Sequence, residues 1–204
     1  MARHFTRGMR GFRRGDCLTR HAILINMPRI YLGLGSNLGD RARHIRNAMT
    51  SLIRAGIRIT RQSSLYVTEP LEMLNQPWFL NCAVEAETHL MPRELLAVLR
   101  SIEAAAGRRR LMRSGPRVLD LDILLFGRAV FDSRWLEIPH PRIAERRFVL
   151  LPLCEIAPAA RHPKLHRTVR QLLAAAKDNS LVRRWSFPST QPFRREDSKA
   201  EVSR

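Results

Sequence analysis

Two carboxylates, Asp120 and Asp122, stand two positions apart in a run of strand-forming apolar residues. Because side chains two apart in a strand share a face, both carboxylates are predicted to project side by side while Leu119, Leu121 and Ile123 enter a core. Magnesium binds a few carboxylate oxygens together with substrate phosphates, and two ions about 4 Å apart suit such a pair. An ordinary half-buried strand with a solvated acidic face explains the same pattern.

The segment before this strand is strongly basic and contains a Gly-Pro turn at Gly115 and Pro116. Its arginines are Arg108, Arg109, Arg110, Arg113 and Arg117. Guanidinium groups match phosphate oxygens in geometry and charge. A solvated loop or internal ion pairs are the alternatives, but five arginines beside two acids leave an excess of positive charge. The combination predicts metal-assisted chemistry on a phosphorylated substrate.

The apolar periodicity predicts the elements that position these residues. They are a strand over 30–34, a helix between Asp40 and Gly56, a strand over 57–67, a strand over 79–88, a helix between Pro92 and Gly107, and a strand over 118–126. This order predicts an α+β protein with a ferredoxin-like βαββαβ sandwich, in which helices pack on one face of an antiparallel sheet. Gly35-Ser-Asn-Leu-Gly39 is interpreted as a strand-to-helix turn, because no Lys-Ser/Thr follows it as in a P-loop.

Composition is consistent with one enzyme domain. A chain of 204 residues is long enough for one core and too short for two enzyme domains. No apolar run approaches the ~20 residues of a membrane span. The three cysteines, Cys17, Cys82 and Cys154, are not spaced like a zinc or disulfide framework. We therefore predict a cytoplasmic protein with no membrane partner.

The net charge of +18 lies mostly at the two ends of the chain. Residues 1–26 contain six arginines and one acid, and residues 161–204 contain eleven basic and four acidic residues. The stretch 27–160 lacks a basic stripe suited to a duplex, which argues against a nucleic-acid partner. We predict a domain over 27–186 and a disordered tail over 187–204. Residues 1–26 are a basic extension that fits a mis-assigned start, an organellar transit peptide or a disordered arm.

Several segments, taken in order, resemble the signatures of the 6-hydroxymethyl-7,8-dihydropterin pyrophosphokinase family. The segments are Tyr31-Leu-Gly-Leu-Gly-Ser-Asn-Leu-Gly-Asp-Arg41, Ser64-Leu-Tyr-Val-Thr-Glu-Pro70, Gln76-Pro-Trp-Phe-Leu-Asn81, Glu103 with Gly107-Arg108, Arg113-Ser-Gly-Pro-Arg-Val-Leu-Asp-Leu-Asp-Ile-Leu124, Ile138-Pro-His-Pro-Arg142, Glu145-Arg-Arg-Phe-Val-Leu-Leu-Pro-Leu153 and Glu155-Ile-Ala-Pro158. The resemblance spans residues 29–158. It implies a ferredoxin-like fold and pyrophosphoryl transfer from ATP to a reduced pterin, with release of AMP, in folate synthesis.

The resemblance also implies roles for individual residues. Asp120 and Asp122 would hold two Mg²⁺ ions. The catalytic group would be Arg108, Arg117 and His140, and the ATP contacts would be Glu103, Arg110, Arg117, His140 and Arg146. The pterin contacts would be Thr68, Pro70, Leu71, Phe79, Asn81 and Phe148. From the residues alone, the two phenylalanines also fit a core, and Glu103 and His140 also fit exposed positions. We expect a monomer with ATP and reduced pterin as its partners.

Two features separate this chain from parts of the family pattern. Ser114 stands where some members have a large aromatic over the nucleotide, and the arginine loop is one residue shorter than in some relatives. A metal-dependent nucleotidyl- or glycosyltransferase is the rival class that also uses Asp-x-Asp, but it does not predict Phe79, Asn81 and Phe148 as a pterin site. A nucleic-acid-binding module is the second rival, and it predicts salt-sensitive affinity.

Overall fold

The computed structural model describes residues 27–71, 73–107 and 115–186. Within these residues there are eight strands and four helices. In chain order they are β1 (Arg29–Ser36), α1 (Arg41–Arg54), β2 (Arg58–Gln62), β3 (Tyr66–Thr68), β4 (Phe79–Glu87), α2 (Pro92–Ala105), β5 (Asp120–Phe126), β6 (Phe131–Ser133), β7 (Leu136–Ile138), α3 (Arg147–Ile156), α4 (Val169–Ala175) and β8 (Val182–Arg184). The predicted domain ends at 1–26 and 187–204 lie outside the described residues.

Six strands form one antiparallel sheet in the order β5-β1-β4-β3-β8, with β2 paired to β4. The long strand β4 pairs with β1 along one edge, and its other edge is shared by β2 and β3. The segment predicted as one strand over 57–67 is therefore two strands. They are joined at Ser63, whose amide donates to the Ala83 carbonyl over 2.9 Å. Strands β6 and β7 form a separate two-stranded hairpin.

Helices α1 and α2 pack on one face of this sheet, as predicted. Asp40 caps α1 by accepting a 2.9 Å hydrogen bond from the Arg43 amide. The apolar stripe of α1 and that of α2 enter the core beneath β1 and β4, where Leu52 and Leu99 are buried. Each fully buried leucine contributes roughly 1.5–3 kcal/mol relative to exposure. The α+β class and the ferredoxin-like fold are confirmed, with the second strand of the predicted βαββαβ order divided into β2 and β3.

Helices α3 and α4 cover part of the opposite face, an addition to the predicted sandwich. Their buried residues, including Leu150 and Leu172, form a second core with Tyr31 and Ala83 of the sheet. Thr168 caps α4 through a hydrogen bond from the Gln171 amide. The rest of this face, near the start of α3, stays open. No helix in the described residues combines the length and the apolar character needed to cross a membrane.

Strand β5 has the predicted alternation. Leu119, Leu121 and Ile123 are buried in the core with α1 and α2. Asp120 and Asp122 are half-buried and project to the opposite face. The two carboxylates therefore lie side by side on the open part of the sheet.

Candidate active site

Two glycines of β1 form the floor between the acidic strand and β4. By register, Gly35 lies between Asp120 on β5 and Asn81 on β4. Gly33 occupies the equivalent position beside Asp122. A Cβ added at Gly35 would meet Asn81 Oδ1 at 2.5 Å, so a larger residue has no room there. The missing side chains leave a shallow depression on the sheet.

One slot over this floor brings together all six residues predicted to hold the pterin. It is lined by the rim loop after β3, by two phenylalanines and by the acids of β5. The predicted residues in its lining are Thr68, Pro70, Leu71, Phe79, Asn81 and Phe148. Asn81 is nearly buried, and its Nδ2 donates to Thr68 Oγ1 over 2.8 Å. The slot therefore offers aromatic walls and a fixed amide, which suits a flat heterocycle with polar edges.

Each phenylalanine also has an arginine beside it. The Arg117 guanidinium carbon lies 5.2 Å from the centre of the Phe79 ring, and that of Arg146 lies 5.5 Å from the centre of the Phe148 ring. Both distances fit cation–π contacts. Arg117 Nη1 also lies 3.3 Å from Asp120 Oδ2, so it links an aromatic wall to the acidic pair.

A wider cleft of about 480 Å³ adjoins the slot on the other side of the acids. This volume lies in the range of small-molecule sites. Of the residues predicted to be catalytic or to contact ATP or metal, the cleft is lined by Glu103, Arg117, Asp120, Asp122, His140 and Arg146. Arg108 and Arg110, the other two predicted phosphate contacts, lie outside the described residues.

Asp122 is the most strongly perturbed acid of the site. Burial, together with the negative charges of Asp120 and Glu103, raises its pKa to about 7, although Arg146 and Arg117 oppose the shift. Glu103 is buried, and its Oε1 accepts a 2.8 Å hydrogen bond from the Leu121 amide. This contact ties the end of α2 to β5. Glu103 thus combines a structural contact with the predicted place beside the cleft.

The donor set fits Mg²⁺ that is shared with a substrate. Within residues 27–71, 73–107 and 115–186, no group of three His, Cys, Asp or Glu side chains could hold a metal by itself. Magnesium usually keeps only one or two carboxylates and takes further ligands from phosphates and water. Burial, followed by the charges of Asp120 and Glu103, raises the pKa of Asp122, and a divalent cation beside it would favour the ionised carboxylate.

His140 has a defined tautomer in the cleft. Its Nδ1 accepts a 3.2 Å hydrogen bond from the Arg142 amide, so in the neutral ring the proton lies on Nε2. Burial and the charges of Arg146 and Arg142 lower the His140 pKa to about 4. At neutral pH this side chain is therefore an uncharged hydrogen-bond donor.

The buried Asn37 joins two segments of the site by hydrogen bonds, and the sequence interpretation missed it. This residue is 2 % exposed, and its Oδ1 accepts from the Arg117 amide over 2.7 Å. The backbone amide of Asn37 donates to the Arg117 carbonyl over 3.1 Å. Its Nδ2 donates to Gln76 Oε1 and to the Pro77 carbonyl over 3.0 and 3.1 Å. The only sequence signal was its place in the Gly35-Ser-Asn turn.

The comparisons with known proteins agree with this geometry. The model of a family described as 7,8-dihydro-6-hydroxymethylpterin-pyrophosphokinase matches residues 31–158. The 2-amino-4-hydroxy-6-hydroxymethyldihydropteridine pyrophosphokinase of Bacillus subtilis is 43% identical over 160 residues, which cover 78% of this chain and 91% of that protein. The enzyme of the same name from Methylorubrum extorquens is 49% identical over 133 residues, or 65% of this chain and 84% of that protein.

Other relatives are longer proteins. The mitochondrial folate synthesis bifunctional protein of Arabidopsis thaliana is 42% identical over 163 residues, and the match spans 80% of this chain but 26% of that protein. The solved structure of wild-type Plasmodium falciparum HPPK-DHPS has a TM-score of 0.58 and 18% identity, covering 73% of this chain and 44% of that one. The structural likeness supports the fold alone. From the family match and the Bacillus and Methylorubrum relatives, we conclude that the chain belongs to the 7,8-dihydro-6-hydroxymethylpterin-pyrophosphokinase family, whose members are ATP-dependent diphosphotransferases of folate synthesis.

Proposed function

We propose that the slot binds 7,8-dihydro-6-hydroxymethylpterin, that the cleft binds ATP, and that pyrophosphate is transferred between them at the acidic pair. One observation carries this proposal. Four residues, Arg117, Asp120, Asp122 and Arg146, line both the slot and the cleft. The boundary between the two cavities is therefore where a hydroxymethyl group from one side meets a phosphate chain from the other.

The slot supplies recognition and orientation of the pterin. Phe79 and Phe148 cover the two faces of the ring, and Asn81 offers a donor and an acceptor to its polar edge. The Thr68 hydroxyl fixes the orientation of that amide. The rim residues Pro70 and Leu71 exclude water from one side of the bound pterin. Holding the hydroxymethyl group toward Asp120 and Asp122 provides the proximity that phosphoryl transfer requires.

In the reaction, the hydroxymethyl oxygen forms a bond to the β-phosphorus of ATP. The bond from that phosphorus to the oxygen that bridges the α- and β-phosphorus atoms breaks, AMP leaves, and the hydroxyl proton is lost. Such transfers need little covalent protein chemistry and depend on positioning and charge neutralisation. Arg117 and Arg146 stand at the boundary and neutralise the phosphate oxygens, and we assign Arg108 and Arg110 to the same task.

Asp120 and Asp122 would hold two Mg²⁺ ions, which neutralise phosphate charge and orient the triphosphate when bound. Glu103 fixes β5 against the end of α2 by accepting a hydrogen bond from the Leu121 amide. His140 donates from Nε2 toward the phosphate side of the cleft, because its Nδ1 is already occupied by the Arg142 amide. The histidine thus acts as a neutral donor and not as a cation.

Pterin-dependent AMP formation tests the proposal. The full chain and a chain begun at Met27 are each given Mg·ATP with and without the pterin, and AMP is measured. AMP that appears only with pterin and Mg²⁺ supports the proposal, and Asp122→Ala should abolish it. AMP formation that is independent of pterin, or full activity in Asp122→Ala, would contradict it. Activity only in the full chain would make residues 1–26 part of the enzyme.

We also propose that the enzyme works as a monomer in the cytoplasm. One chain brings together the slot and the cleft, so the proposed reaction needs no residue from a second copy. The competing location is an organelle, since two plant relatives are named as mitochondrial proteins and residues 1–26 are rich in arginine. Light scattering tests the first statement. N-terminal sequencing of the native protein tests the second, because a chain cut within residues 1–26 indicates import.

A further inference from the structure

A segment outside the family match contacts both sides of the slot. The family model ends at residue 158, whereas residues 178–184, here called the strap, follow α4. At its first residue, Asp178 Oδ2 accepts a 2.7 Å hydrogen bond from the Arg147 amide. Asp178 Oδ1 accepts a 2.8 Å hydrogen bond from the Ser180 amide, which fixes the carboxylate.

The contact of Asp178 lies at the start of α3, the helix that carries one wall of the slot. Arg147 is the first residue of α3, and its neighbours Arg146 and Phe148 line the slot. The first amides of a helix lack partners inside the helix. The side chain of Arg146, at the capping position, makes no capping hydrogen bond to the first amides of α3. Asp178 therefore provides the cap from 31 positions away in sequence.

The electrostatics of Asp178 agree with this role. Burial by itself would raise its pKa, but hydrogen bonds from Ser180 and the Arg147 amide, together with the Arg147 charge, lower the pKa below its ordinary value. The ionised form is therefore favoured. A negative charge at a helix N-terminus also interacts favourably with the helix dipole.

The middle of the strap contacts the opposite side of the slot. The Glu69 amide donates to the Leu181 carbonyl over 3.2 Å, and the Leu181 amide donates to Glu69 Oε1 over 2.9 Å. Strand β8 then pairs with β3, with Val182 opposite Thr68. Glu69 lines the slot between Thr68 and Pro70. The strap thus holds the rim loop from outside.

We propose that the strap fixes the spacing between the two sides of the slot, with Asp178 and Glu69 as positioning residues for the pterin. This inference rests on the proposed function, in which the slot is the pterin site. The strap contacts the Phe148 side through Asp178 and the Thr68 side through Leu181. Loss of either contact frees one side to move, which weakens binding of a flat ring that must touch both.

The test uses the full chain with Asp178→Ala and Asp178→Asn. Binding of 7,8-dihydro-6-hydroxymethylpterin is measured with Mg²⁺ and a non-reacting ATP analogue, and the ATP KM is measured separately. For Asp178→Ala we expect about a fivefold weaker pterin Kd, with the ATP KM changed less than about twofold, because a lost helix cap loosens Phe148 most. Asp178→Asn keeps one acceptor oxygen and should fall between wild type and alanine.

Thr168→Ala is the matched control. It removes the cap of α4, a helix whose N-terminus lies outside both cavities. We expect it to lower Tm as Asp178→Ala does, without changing pterin Kd. Equal pterin affinity in Asp178→Ala and wild type, or equal losses for pterin and ATP, would overturn the inference.

Amide hydrogen exchange separates this inference from the proposed function. If wild type fails to bind pterin, the proposed function fails, but exchange still reports on the strap. Faster exchange at Leu150, whose amide donates to the Arg146 carbonyl, and at Glu69 in Asp178→Ala supports a strap that joins both sides. Unchanged exchange at Glu69 in that variant contradicts it.

Discussion

Asn81 lies directly over Gly35 on the neighbouring strand. The two residues are register partners in β4 and β1, and a Cβ at Gly35 would come within 2.5 Å of Asn81 Oδ1. The amide of Asn81 is held in this place by its hydrogen bond to Thr68 Oγ1. The glycine is therefore required by a side chain in the slot and not by a turn.

Gly35→Ala should weaken pterin binding much more than it weakens the fold. The new Cβ displaces the end of the Asn81 side chain and breaks its hydrogen bond to Thr68. We expect the pterin Kd to rise about tenfold, the equivalent of one net hydrogen bond, with the ATP KM little changed. Pterin titration and steady-state kinetics in ATP measure the two effects.

Gly33→Ala is the matched control on the same strand. A Cβ there would meet Leu124 Cδ2 at 3.3 Å, a contact that a leucine side chain relieves by a small shift. Pterin binding should fall less than in Gly35→Ala, because the atoms nearest to the Gly33 Cβ belong to Leu124 and not to a residue predicted to contact the pterin. Equal losses of pterin affinity in both variants would argue against a specific role for the Gly35–Asn81 contact.

Asn37→Ala should destabilise the protein and disturb both substrate sites. The side chain is buried and hydrogen-bonded to the Arg117 backbone, to Gln76 and to Pro77. Leaving these groups without partners costs about 1–3 kcal/mol of unfolding free energy. Urea unfolding measures the loss. Asn47→Ala, at an exposed position of α1, should change it by less than about 0.5 kcal/mol.

Asn37→Asp separates the two sides of this contact. Aspartate keeps the acceptor for the Arg117 amide but replaces the donor to Gln76 and Pro77 with an oxygen. We expect pterin affinity to fall through the loop after β3 while Arg117 keeps its place. If Asn37→Asp matches wild type in pterin binding, the donor contacts do not position that loop.

Local patterns in the sequence predicted the elements well. The spacing of Ile45, Met49 and Leu52 predicted α1, and alternation about Asp120 and Asp122 predicted β5. Both patterns reflect one buried face per element, and hence they can be read from neighbouring residues. The division of residues 57–67 into β2 and β3 could not be read in this way. It follows from which half of β4 each strand meets.

The site was predicted unevenly for a similar reason. Residues that are proposed to do chemistry, such as Asp122 and His140, stand in motifs, and both line the cleft. Asn37 and Asp178 act through backbone amides that lie 80 and 31 positions away in sequence. An amide is present at nearly every residue, so no side-chain pattern shows which one will be the partner. The two arginines Arg108 and Arg110 lie outside the described residues, and their roles stay predictions.

Arg117→Lys should lower kcat strongly although the charge is kept. The guanidinium contacts Phe79 and Asp120 together, at the boundary of slot and cleft. A lysine ammonium lacks the planar fork that bridges them. We expect a loss of about 10²–10³ in kcat, as for other charge-stabilising groups. Arg93→Lys, which alters a cation–π contact with Phe131 outside both cavities, should keep full activity. Similar losses in both variants would point to a general effect of arginine replacement.

In the metal-free protein, Asp122 should contribute a loss of stability as pH rises from about 4 to about 7, which the lowered pKa values of His140 and His162 oppose. The folded-state pKa of Asp122 is raised to about 7, so the folded state holds a proton that the unfolded chain releases near its ordinary pKa of 3.8. The stabilisation from this proton is complete below 3.8 and is lost as pH passes the folded value. Thermal unfolding in a chelator measures the trend.

The affinity for Mg²⁺ should increase as the pH rises, because the metal binds the ionised carboxylate. Apparent Mg·ATP affinity is expected to rise between pH 6 and 8 and to level off above the pKa of about 7. Asp122→Asn removes the titrating group, so its metal-free Tm should rise with pH relative to wild type between pH 4 and 7. If wild type and Asp122→Asn show the same pH dependence of metal-free Tm over this range, Asp122 is already ionised.

His140 should give no inflection in the pH dependence of kcat between pH 5 and 7. Its folded pKa is lowered to about 4, so the ring is neutral throughout this range. The unfolded chain protonates first, near 6.5, and therefore the stability that this group contributes is complete above 6.5 and is lost as pH falls toward 4. His140→Asn keeps a neutral donor and should be more active than His140→Ala. In His140→Asn, the fall in Tm as the pH is lowered should be smaller than in wild type. It should not disappear, because burial also lowers the pKa of His162. A kcat that falls with a midpoint near pH 6.5 in wild type, and not in His140→Asn, would mean that the imidazole titrates in the working enzyme.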